Sequence, residues 1–495
     1  MKQPPQPSRV LAVVGLAVFL SVLDLFIVNI AFPDLRRDFE GSSLSGLSWV
    51  LTTYAIVYAA VLVPAGRLGD IYGRRLLFVI GLALFTLGSA LCALAPTLEL
   101  LVAARVLQGV GAAALTPNSL GLVLPLYPAE KRSTVIGAWA GIGAVGASIA
   151  PPLGGLLVEV SWRLIFIVNV PLGLIAIFLA LRLAPEVRDA RATRLPDVPG
   201  IALLVAAVGL LTLGLTQGPH WGWDERVVAA FGLAAVLGAV FLRRCATHAA
   251  PVVELALLRV PAFALAGLST LLFSAGFAGL LLGNVLFFTE VWDYSVLQAG
   301  LAFAPGPLLA ASTAFTSGRL ADGREPAAFG AVGGFVFAAG CLWFITQVGA
   351  DPAYLSEILP GQVLTGVGVG LMLPAFTATA AATLRPEQLS TGIGVQTMCR
   401  QIGAALGLAS WVAIVGTPAP ADALDAFASG WLFMAVTAVL AGLALLPMAR
   451  GRLVHRQVVR LQTRSARDSS ASSSSAITGA RPPRRWCRAT IPRRC

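Results

Sequence analysis

The sequence predicts an all-α, polytopic membrane protein with fourteen transmembrane helices, on three observations. The 495-residue chain is 57% hydrophobic and only 12% charged, half the ~25% of a soluble domain. Its mean hydropathy is +0.82. Its apolar residues form continuous runs of about 20 residues, the length that a helix needs to cross the hydrocarbon core, rather than the alternating strands of a β-barrel.

The apolar runs define the predicted helices in order along the chain. The first run follows Lys2 and Arg9 as in a signal peptide, but it is too long for one and no small-residue cleavage site closes it. Pro117 and Pro374 interrupt two long runs, each of which we interpret as one helix. The fourteen predicted helices are 10–32, 47–66, 76–95, 99–124, 133–157, 164–183, 199–217, 227–242, 261–288, 297–317, 327–348, 357–382, 390–415 and 429–448.

Basic residues support this number of helices and its orientation. With a cytoplasmic N-terminus, the cytoplasmic connections up to residue 449 hold 17 Lys and Arg residues, and the outer connections hold four: Arg36, Arg37, Arg163 and Arg226. Such an excess is the rule for cytoplasmic loops. If one helix were missed or added, every later connection would change sides, and the excess of basic residues on the cytoplasmic side would be lost. We therefore expect a multi-pass membrane protein with both termini in the cytoplasm. Arginine greatly outnumbers lysine and alanine is abundant, which favours a high-GC bacterium and hence the bacterial cytoplasmic (cell) membrane.

Two long cytoplasmic connections, after the sixth and eighth predicted helices, indicate the domain organisation. The predicted regions are 1–183, an N-terminal six-helix bundle; 184–260, a linker with two extra transmembrane helices; 261–449, a C-terminal six-helix bundle; and 450–495, a basic, disordered cytoplasmic tail. The tail holds 12 Arg and one Asp, so it accounts for the whole net charge of +11. The basic character of the chain therefore does not predict a nucleic-acid partner.

Enzymatic chemistry is not predicted. The six cysteines are scattered without a CxxC pair, and the three histidines lie far apart, so neither a metal site nor a disulfide framework is indicated. We expect no cofactor. The chain also lacks the G-x-x-x-x-G-K-[ST] loop that binds nucleotide phosphates, which argues against ATP as the energy source.

An internal repeat favours a transporter. Gly-Arg-Leu-Gly-Asp at 66–70 follows the second predicted helix, and Gly-Arg-Leu-Ala-Asp at 318–322 follows the tenth. Repeated halves are typical of secondary transporters, whose substrate site lies near the membrane midplane between the halves.

The residues Gly66, Asp70, Gly73, Arg74 and Arg75 form a motif that we interpret as a loop. Glycines permit a tight turn, and Asp70 can cap the next helix or pair with an arginine. We predict a cytoplasmic latch that locks one conformation. The alternative, a basic loop that only sets the topology, explains the arginines but not the glycines and the aspartate.

The fifth predicted helix contains Gly146, Pro151, Gly154 and Gly155. Small residues let a neighbouring helix backbone approach closely, and proline bends a helix. We predict that this helix forms an interface at which the two bundles rock. The alternative is ordinary small-residue packing.

Ionisable side chains inside predicted helices are few. Asp24, Arg105 and Arg400 lie in the first, fourth and thirteenth. A charge within the bilayer is costly unless it is paired or hydrated, which makes it a candidate for function. We predict that Asp24 and Arg105 couple transport to protons; the alternative for Asp24 is a static ion pair. The candidates for the substrate cavity are Asn29, Gln108, Asn118, Asn284, Gln396 and Arg400, and for each the alternative is a bond between helices.

Taken together, these motifs resemble the major facilitator superfamily and, more narrowly, its fourteen-helix drug:proton antiporter branch (multidrug efflux transporters). Two positions depart from the usual pattern: Phe26 stands where Thr is usual, and Ala150 where Gly is usual. The similar segments are 23–33, 66–75, 105–111, 137–155 and 162–171.

The resemblance implies the major facilitator fold, two six-helix bundles plus two inserted helices. It implies a proton-coupled antiporter that exports small, largely apolar compounds (drugs or antibiotics), so that its partners are a small-molecule substrate, protons and the lipid bilayer. We expect a monomer, because these bundles need no partner to satisfy their polar backbone. The alternatives are a proton-coupled importer on the same fold and a non-transporting membrane sensor or scaffold. The export direction comes from the resemblance alone.

Overall fold

The computed structural model describes residues 6–128, 131–188, 195–320, 325–384 and 389–449. Within these residues fourteen helices are long and apolar enough to cross a membrane, which confirms the predicted number. In order, α1 to α14 are Pro7–Ile30, Leu44–Tyr72, Arg74–Leu94, Leu98–Leu126, Thr134–Val158, Leu164–Leu183, Val198–Gln217, Glu225–Thr247, Pro261–Val291, Val296–Ser317, Pro326–Gln347, Tyr354–Ala381, Thr391–Val415 and Pro420–Ala449.

Several of these helices contain a proline, a short interruption or a π-helical turn. Pro117 and Pro374 lie inside α4 and α12, so each interrupted run is one helix, as predicted. α6 is interrupted at Val168, and α10 at Ala304, directly before a proline. The last turn of α9 and the first turn of α12 are wound as π-helix.

The motif at 66–75 is not a loop, and the predicted end of the second helix at residue 66 is wrong. α2 continues to Tyr72 and α3 begins at Arg74, so Gly73 alone separates them. Its φ of +120° is a conformation that side chains other than glycine rarely adopt. The apolar run ends before the helix does, because the polar last turns of α2 pack against α4.

The helices pack in two groups. α1 to α6 pack chiefly on one another, and so do α9 to α14, while α7 and α8 pair with each other. α7 also contacts α2 and α13, so the inserted pair bridges the groups. Direct contacts between the groups run chiefly through α2 with α13 and α5 with α10, and smaller ones join α1 to α9 and α10. The predicted tail at 450–495 lies outside the described residues, as do the side chains of the repeated motif at 318–324.

The ends of the helices define two faces. We call the face at which α1 begins the N-face and the other the opposite face. On the N-face Asp197 caps α7 by accepting from the backbone N–H of Gly200 (3.0 Å) and from Nε of Arg244 in α8 (2.6 Å). Burial opposes ionisation of this carboxyl, but the two hydrogen bonds and the charges of Arg244 and His248 outweigh it and lower the pKa of Asp197. The inserted pair is thus tied together where α7 begins.

Candidate functional site

Asp24 and Arg105, predicted from sequence as a functional pair, meet in the first helix group. Nη1 of Arg105 donates to Oδ2 of Asp24 at 2.6 Å, and both side chains are fully buried. The two residues are 81 positions apart in the sequence, so only the packing of α1 against α4 brings them together. A buried ion pair of this kind needs further hydrogen bonds to offset its desolvation.

Those further bonds come from residues of α3, α4 and α6. Nε2 of Gln108 donates to Oδ1 of Asp24 at 2.7 Å, and the amide of Asn169 donates to the same oxygen at 3.2 Å. Both amides also lie within hydrogen-bond distance of the hydroxyl of Ser89, at 2.7 and 3.3 Å. We call Asp24, Ser89, Arg105, Gln108 and Asn169 the Asp24 network. It connects α1, α3, α4 and α6.

Arg105 is held on its other sides as well. Its Nε donates to the carbonyl oxygen of Val50 at 2.9 Å, and its Nη1 also donates to Oε1 of Gln108 at 2.6 Å. Its guanidinium carbon lies 4.2 Å from the ring centroid of Tyr54 on α2, a cation–π distance. The contacts of Arg105 to α2 do not involve Asp24. Loss of the ion pair would therefore weaken the link between α1 and α4 and leave the contacts between α2 and α4 in place.

Sequence reasoning missed Ser89, and it included Asn169 within the segment 162–171 that resembles the family. The spacing of Arg105 and Gln108 by three residues places both on one face of α4, which the sequence does show. Asn169 begins the second part of α6 after the break at Val168. Pro171, two residues after Asn169, is a sequence signal for a break of this kind and could have drawn attention to it. For Ser89, nothing in the sequence distinguishes it from other serines in apolar helices.

A cavity of about 60 Å³ lies beside the Asp24 network. Tyr54 lies between the network and the cavity: its ring contacts Arg105, and the residue also lines the cavity. The other lining residues come from α1, α2, α4, α5 and α13: Ala17, Val18, Ser21, Val22, Leu25, Tyr58, Leu115, Thr116, Ser119, Trp139, Arg400 and Gln401. The cavity therefore lies between the two helix groups.

Of the six predicted cavity residues, the structure places Arg400 alone in this lining. Asn29 donates to the carbonyl of Leu25 in its own helix, and Asn118 donates to Ala65 and Ala114. Gln108 belongs to the Asp24 network. Gln396 and Asn284 are buried in the group formed by α9 to α14. Gln396 accepts a hydrogen bond from Thr270 at 3.0 Å, and Asn284 lies in α9. For all six a contact with substrate stays a prediction, and this geometry favours Arg400.

The predicted latch residues join α2 and α3 to their neighbours on the N-face. Nη2 of Arg74 lies 2.5 Å from the Asp70 carboxylate, and its Nη1 donates to the carbonyl of Pro117 at 3.3 Å. A Cβ on Gly66 would lie 3.2 Å from the Pro117 side chain, so the close approach of α2 to α4 depends on a glycine there.

Arg75 extends the same contacts to the end of α6. Its backbone N–H donates to the carboxylate of Glu186 at 3.1 Å, and its guanidinium donates to the carbonyl of Leu181. A Cβ on Gly73 would clash with the same Glu186 carboxylate. The motif thus ties α2, α3, α4 and α6 together within one helix group.

The glycines and prolines of α5 lie at close helix contacts. A Cβ on Gly146 would lie 3.0 Å from the carbonyl of Phe19, and one on Gly154 would lie 2.8 Å from Ile27, both in α1. One on Gly155 would lie 2.8 Å from the Cα of Leu297 in α10. α5 therefore packs on α1 within its own group and on α10 in the other.

Pro151 takes part in the contact with α10. A Cβ on Gly300 would lie 2.5 Å from the carbonyl oxygen of Pro151. Nearer the N-face, by contrast, Gly137 and Gly141 of α5 and Gly306 of α10 have no heavy atom within 4 Å of such a Cβ. Among these glycines, tight contact between the two helices is confined to the opposite-face ends.

Two ion pairs also cross between parts of the chain that are far apart in sequence. On the opposite face Arg36, after α1, pairs with Glu290 at the end of α9. On the N-face Arg67 of α2 pairs with Glu254, in the connection after α8, at 3.0 Å. The first of these joins the two six-helix groups directly.

Comparison with known proteins gives the chain's relatives. The family described as Major Facilitator Superfamily matches residues 14–408. The multidrug resistance protein Stp of Mycobacterium tuberculosis is 35% identical over 400 residues, which cover 80% of this chain and 73% of that protein. The probable actinorhodin transporter of Streptomyces coelicolor is 33% identical over 84% of this chain and 73% of its own. The cephamycin export protein CmcT of Amycolatopsis lactamdurans is 33% identical over 86% of this chain and 90% of that protein.

Solved structures share the fold at low identity. A peptide transporter POT in complex with sulfate superposes with a TM-score of 0.66 at 15% identity, over 91% of this chain and 97% of that one. A bacterial homologue of the human drug peptide transporters PepT1 and PepT2 gives 0.65 at 16% identity, over 91% and 100%. These similarities concern the arrangement of helices alone.

Proposed function

The chain belongs to the major facilitator superfamily, and on that premise we propose that it is a proton-coupled antiporter that exports small, largely apolar compounds across the cytoplasmic membrane. Its relatives are named for multidrug resistance, for actinorhodin transport and for cephamycin export. The observation that carries the proposal is the fully buried Asp24–Arg105 pair beside a cavity between two helix groups.

The proposed cycle uses the Asp24 network as the proton site. Asp24 takes a proton from the outer side, which removes the ion pair with Arg105, and releases it to the cytoplasm when the pair reforms. Tyr54 contacts Arg105 and also lines the cavity. A movement of Arg105 on protonation of Asp24 therefore changes the position of a side chain at the proposed substrate site. Substrate and proton thus favour different arrangements, which is the requirement for exchange.

We assign the N-face to the cytoplasm, in agreement with the distribution of basic residues, and both termini with it. The N-terminal bundle at 1–183 and the C-terminal bundle at 261–449 move against each other, with the region 184–260 as a bridge. The 66–75 motif acts as the latch of the N-terminal bundle, and Gly155 and Pro151 of α5 form the contact on which the bundles rock. A monomer is sufficient, because each helix satisfies its own backbone.

The experiment that tests the function is accumulation of a panel of fluorescent lipophilic compounds in efflux-deficient bacteria. Cells express the wild type, Asp24→Asn or the control Asp34→Asn at matched membrane levels. Asp34 is an acidic residue outside the spanning helices and pairs with Arg37. We expect the wild type and the control to lower accumulation, a protonophore to abolish the difference, and Asp24→Asn to resemble empty cells.

Two results would contradict the proposal. Higher accumulation with the wild type would indicate import. Export that continues in Asp24→Asn and still responds to the protonophore would show that the proton site lies elsewhere.

A further inference from the structure

The cavity beside the Asp24 network contains one charged side chain, and it is a cation. Arg400 is the tenth of the 25 residues of α13, so at 1.5 Å per residue it lies roughly 14 Å along the helix, near the middle of the membrane. It is exposed, and among the residues that the structure describes it forms no ion pair. An arginine at this depth is costly unless something compensates its charge.

A second unpartnered group lies next to it. Gln401 also lines the cavity and is only 4% exposed as a residue. Its carboxamide is open to the cavity rather than enclosed, and it makes no hydrogen bond within the described part of the chain. Two adjacent residues of α13 thus present donors to the same space without a protein acceptor.

The remaining polar groups of the cavity do not supply a negative charge. Its lining has no carboxylate. Tyr58 and Thr116 share a hydrogen bond of 2.6 Å between their hydroxyls, and the indole N–H of Trp139 donates to the hydroxyl of Ser119 at 3.0 Å. The nearest acid in the adjoining network, Asp24, is already paired with Arg105.

The other walls are apolar and aromatic. α1 contributes Ala17, Val18, Val22 and Leu25, while the rings of Tyr54, Tyr58 and Trp139 face the same space. Planar rings favour stacking with aromatic side chains and with a guanidinium. A cavity of about 60 Å³ has room for the charged end of a ligand but not for a whole drug-sized molecule. Under the proposed cycle, the rest of a larger molecule enters when the bundles separate.

We propose that the exported compounds are aromatic anions, molecules with a planar ring and one acidic group such as a carboxylate or phenolate, and that Arg400 and Gln401 bind the acidic group. This rests on the proposed export function and narrows its substrate class. A guanidinium presents a planar pair of N–H donors that matches a carboxylate, so the hydrogen bonds are charge-assisted and specific in geometry. The same positive charge repels cationic drugs from the site.

Two xanthene dyes of opposite charge test the inference directly. Fluorescein is anionic and rhodamine 6G is cationic at neutral pH. Equilibrium binding of each dye to purified protein in detergent is followed by fluorescence anisotropy, for the wild type, Arg400→Gln and the charge-conserving Arg400→Lys. We expect the wild type to bind fluorescein more tightly than rhodamine 6G, Arg400→Gln to lose at least about tenfold for fluorescein alone, and Arg400→Lys to retain part of the affinity.

Equal or tighter binding of the cation by the wild type would overturn the inference, and this comparison needs no variant to fold. An equal loss of both dyes in Arg400→Gln, with unchanged elution and thermal unfolding, would also overturn it, since the residue would then support the structure of the cavity. Movement of fluorescein in vesicles that carry a pH gradient tests the proposed function separately. Anion binding without gradient-driven movement would refute proton-coupled export while leaving the anion site standing.

Discussion

Arg105 is the residue on which the Asp24 network depends. It donates to Asp24, to Gln108 and to a backbone carbonyl of α2, and it stacks on Tyr54. Each of these contacts is made in a fully buried site, so none is replaced by water when it is lost. The sequence identified Arg105 as an unusual charge within a span, but not which of its partners compensate that charge.

A double-mutant cycle tests how strongly the pair is coupled. Removing one partner leaves the other as an uncompensated buried charge, so Asp24→Ala or Arg105→Ala alone should cost roughly 3–5 kcal/mol of unfolding free energy. The double variant should cost clearly less than the sum of the two, because no orphaned charge remains. Denaturant unfolding of the four proteins in detergent measures this. Strict additivity would show that the two side chains do not stabilise each other.

At the scale of helices, α5 joins the two groups through its glycines. Its contact with α10 depends on Gly155, since any side chain there would meet the Cα of Leu297. The sequence predicted a close-packed interface for this helix, and the structure shows the partner. The sequence could not show it, because small residues indicate a close approach without indicating which helix approaches.

Alanine in place of Gly155 or of Gly137 changes helix propensity in the same way, but only at Gly155 does the added Cβ meet a neighbouring helix. The two variants therefore distinguish the effect of packing from that of helix propensity. We expect Gly155→Ala to destabilise by roughly 1–3 kcal/mol through overpacking and to reduce export. Gly137→Ala is the matched control in the same helix. It should be neutral or stabilise by up to about 1 kcal/mol, because its Cβ meets no neighbour within 4 Å. Thermal unfolding and dye efflux measure both. Similar effects of the two variants would refute a specific role for the contact with α10.

At the scale of the whole molecule, the two helix groups meet on the opposite face through Arg36 and Glu290 as well as through α5 and α10. Both side chains are about one-third exposed, so water screens the pair. Such a pair contributes about 0–1 kcal/mol, which is little for folding but enough to bias two conformations of similar energy.

Charge reversal tests this bias. Glu290→Lys places like charges together, and we expect it to shift the population by up to about fivefold towards a conformation open on the opposite face. The exchanged pair, Arg36→Glu with Glu290→Lys, should restore the wild-type distribution. Distances between spin labels on the two groups report the populations. Failure of the exchange to restore them would show that the pair does not hold the groups together.

The sequence by itself determined the fold class, the number of spanning helices and the ionisable residues within them. It could do so because the bilayer imposes simple rules: length and hydropathy decide what spans, and an intramembrane charge is rare enough to be noticed. It also indicated the close-packed helix from the glycines of α5.

Only the tertiary structure decided how these residues combine. The end of α2 at Tyr72 depends on packing against α4, which a hydropathy profile does not contain. Ser89 and Asn169 join Asp24 because four helices converge there, and Arg400 faces the cavity while Asn118 bonds to a neighbouring helix. The physical reason is that an apolar helix has no strong preference for one face, so the rotation of each helix, and with it the surroundings of each polar side chain, is set by contacts between helices distant in sequence.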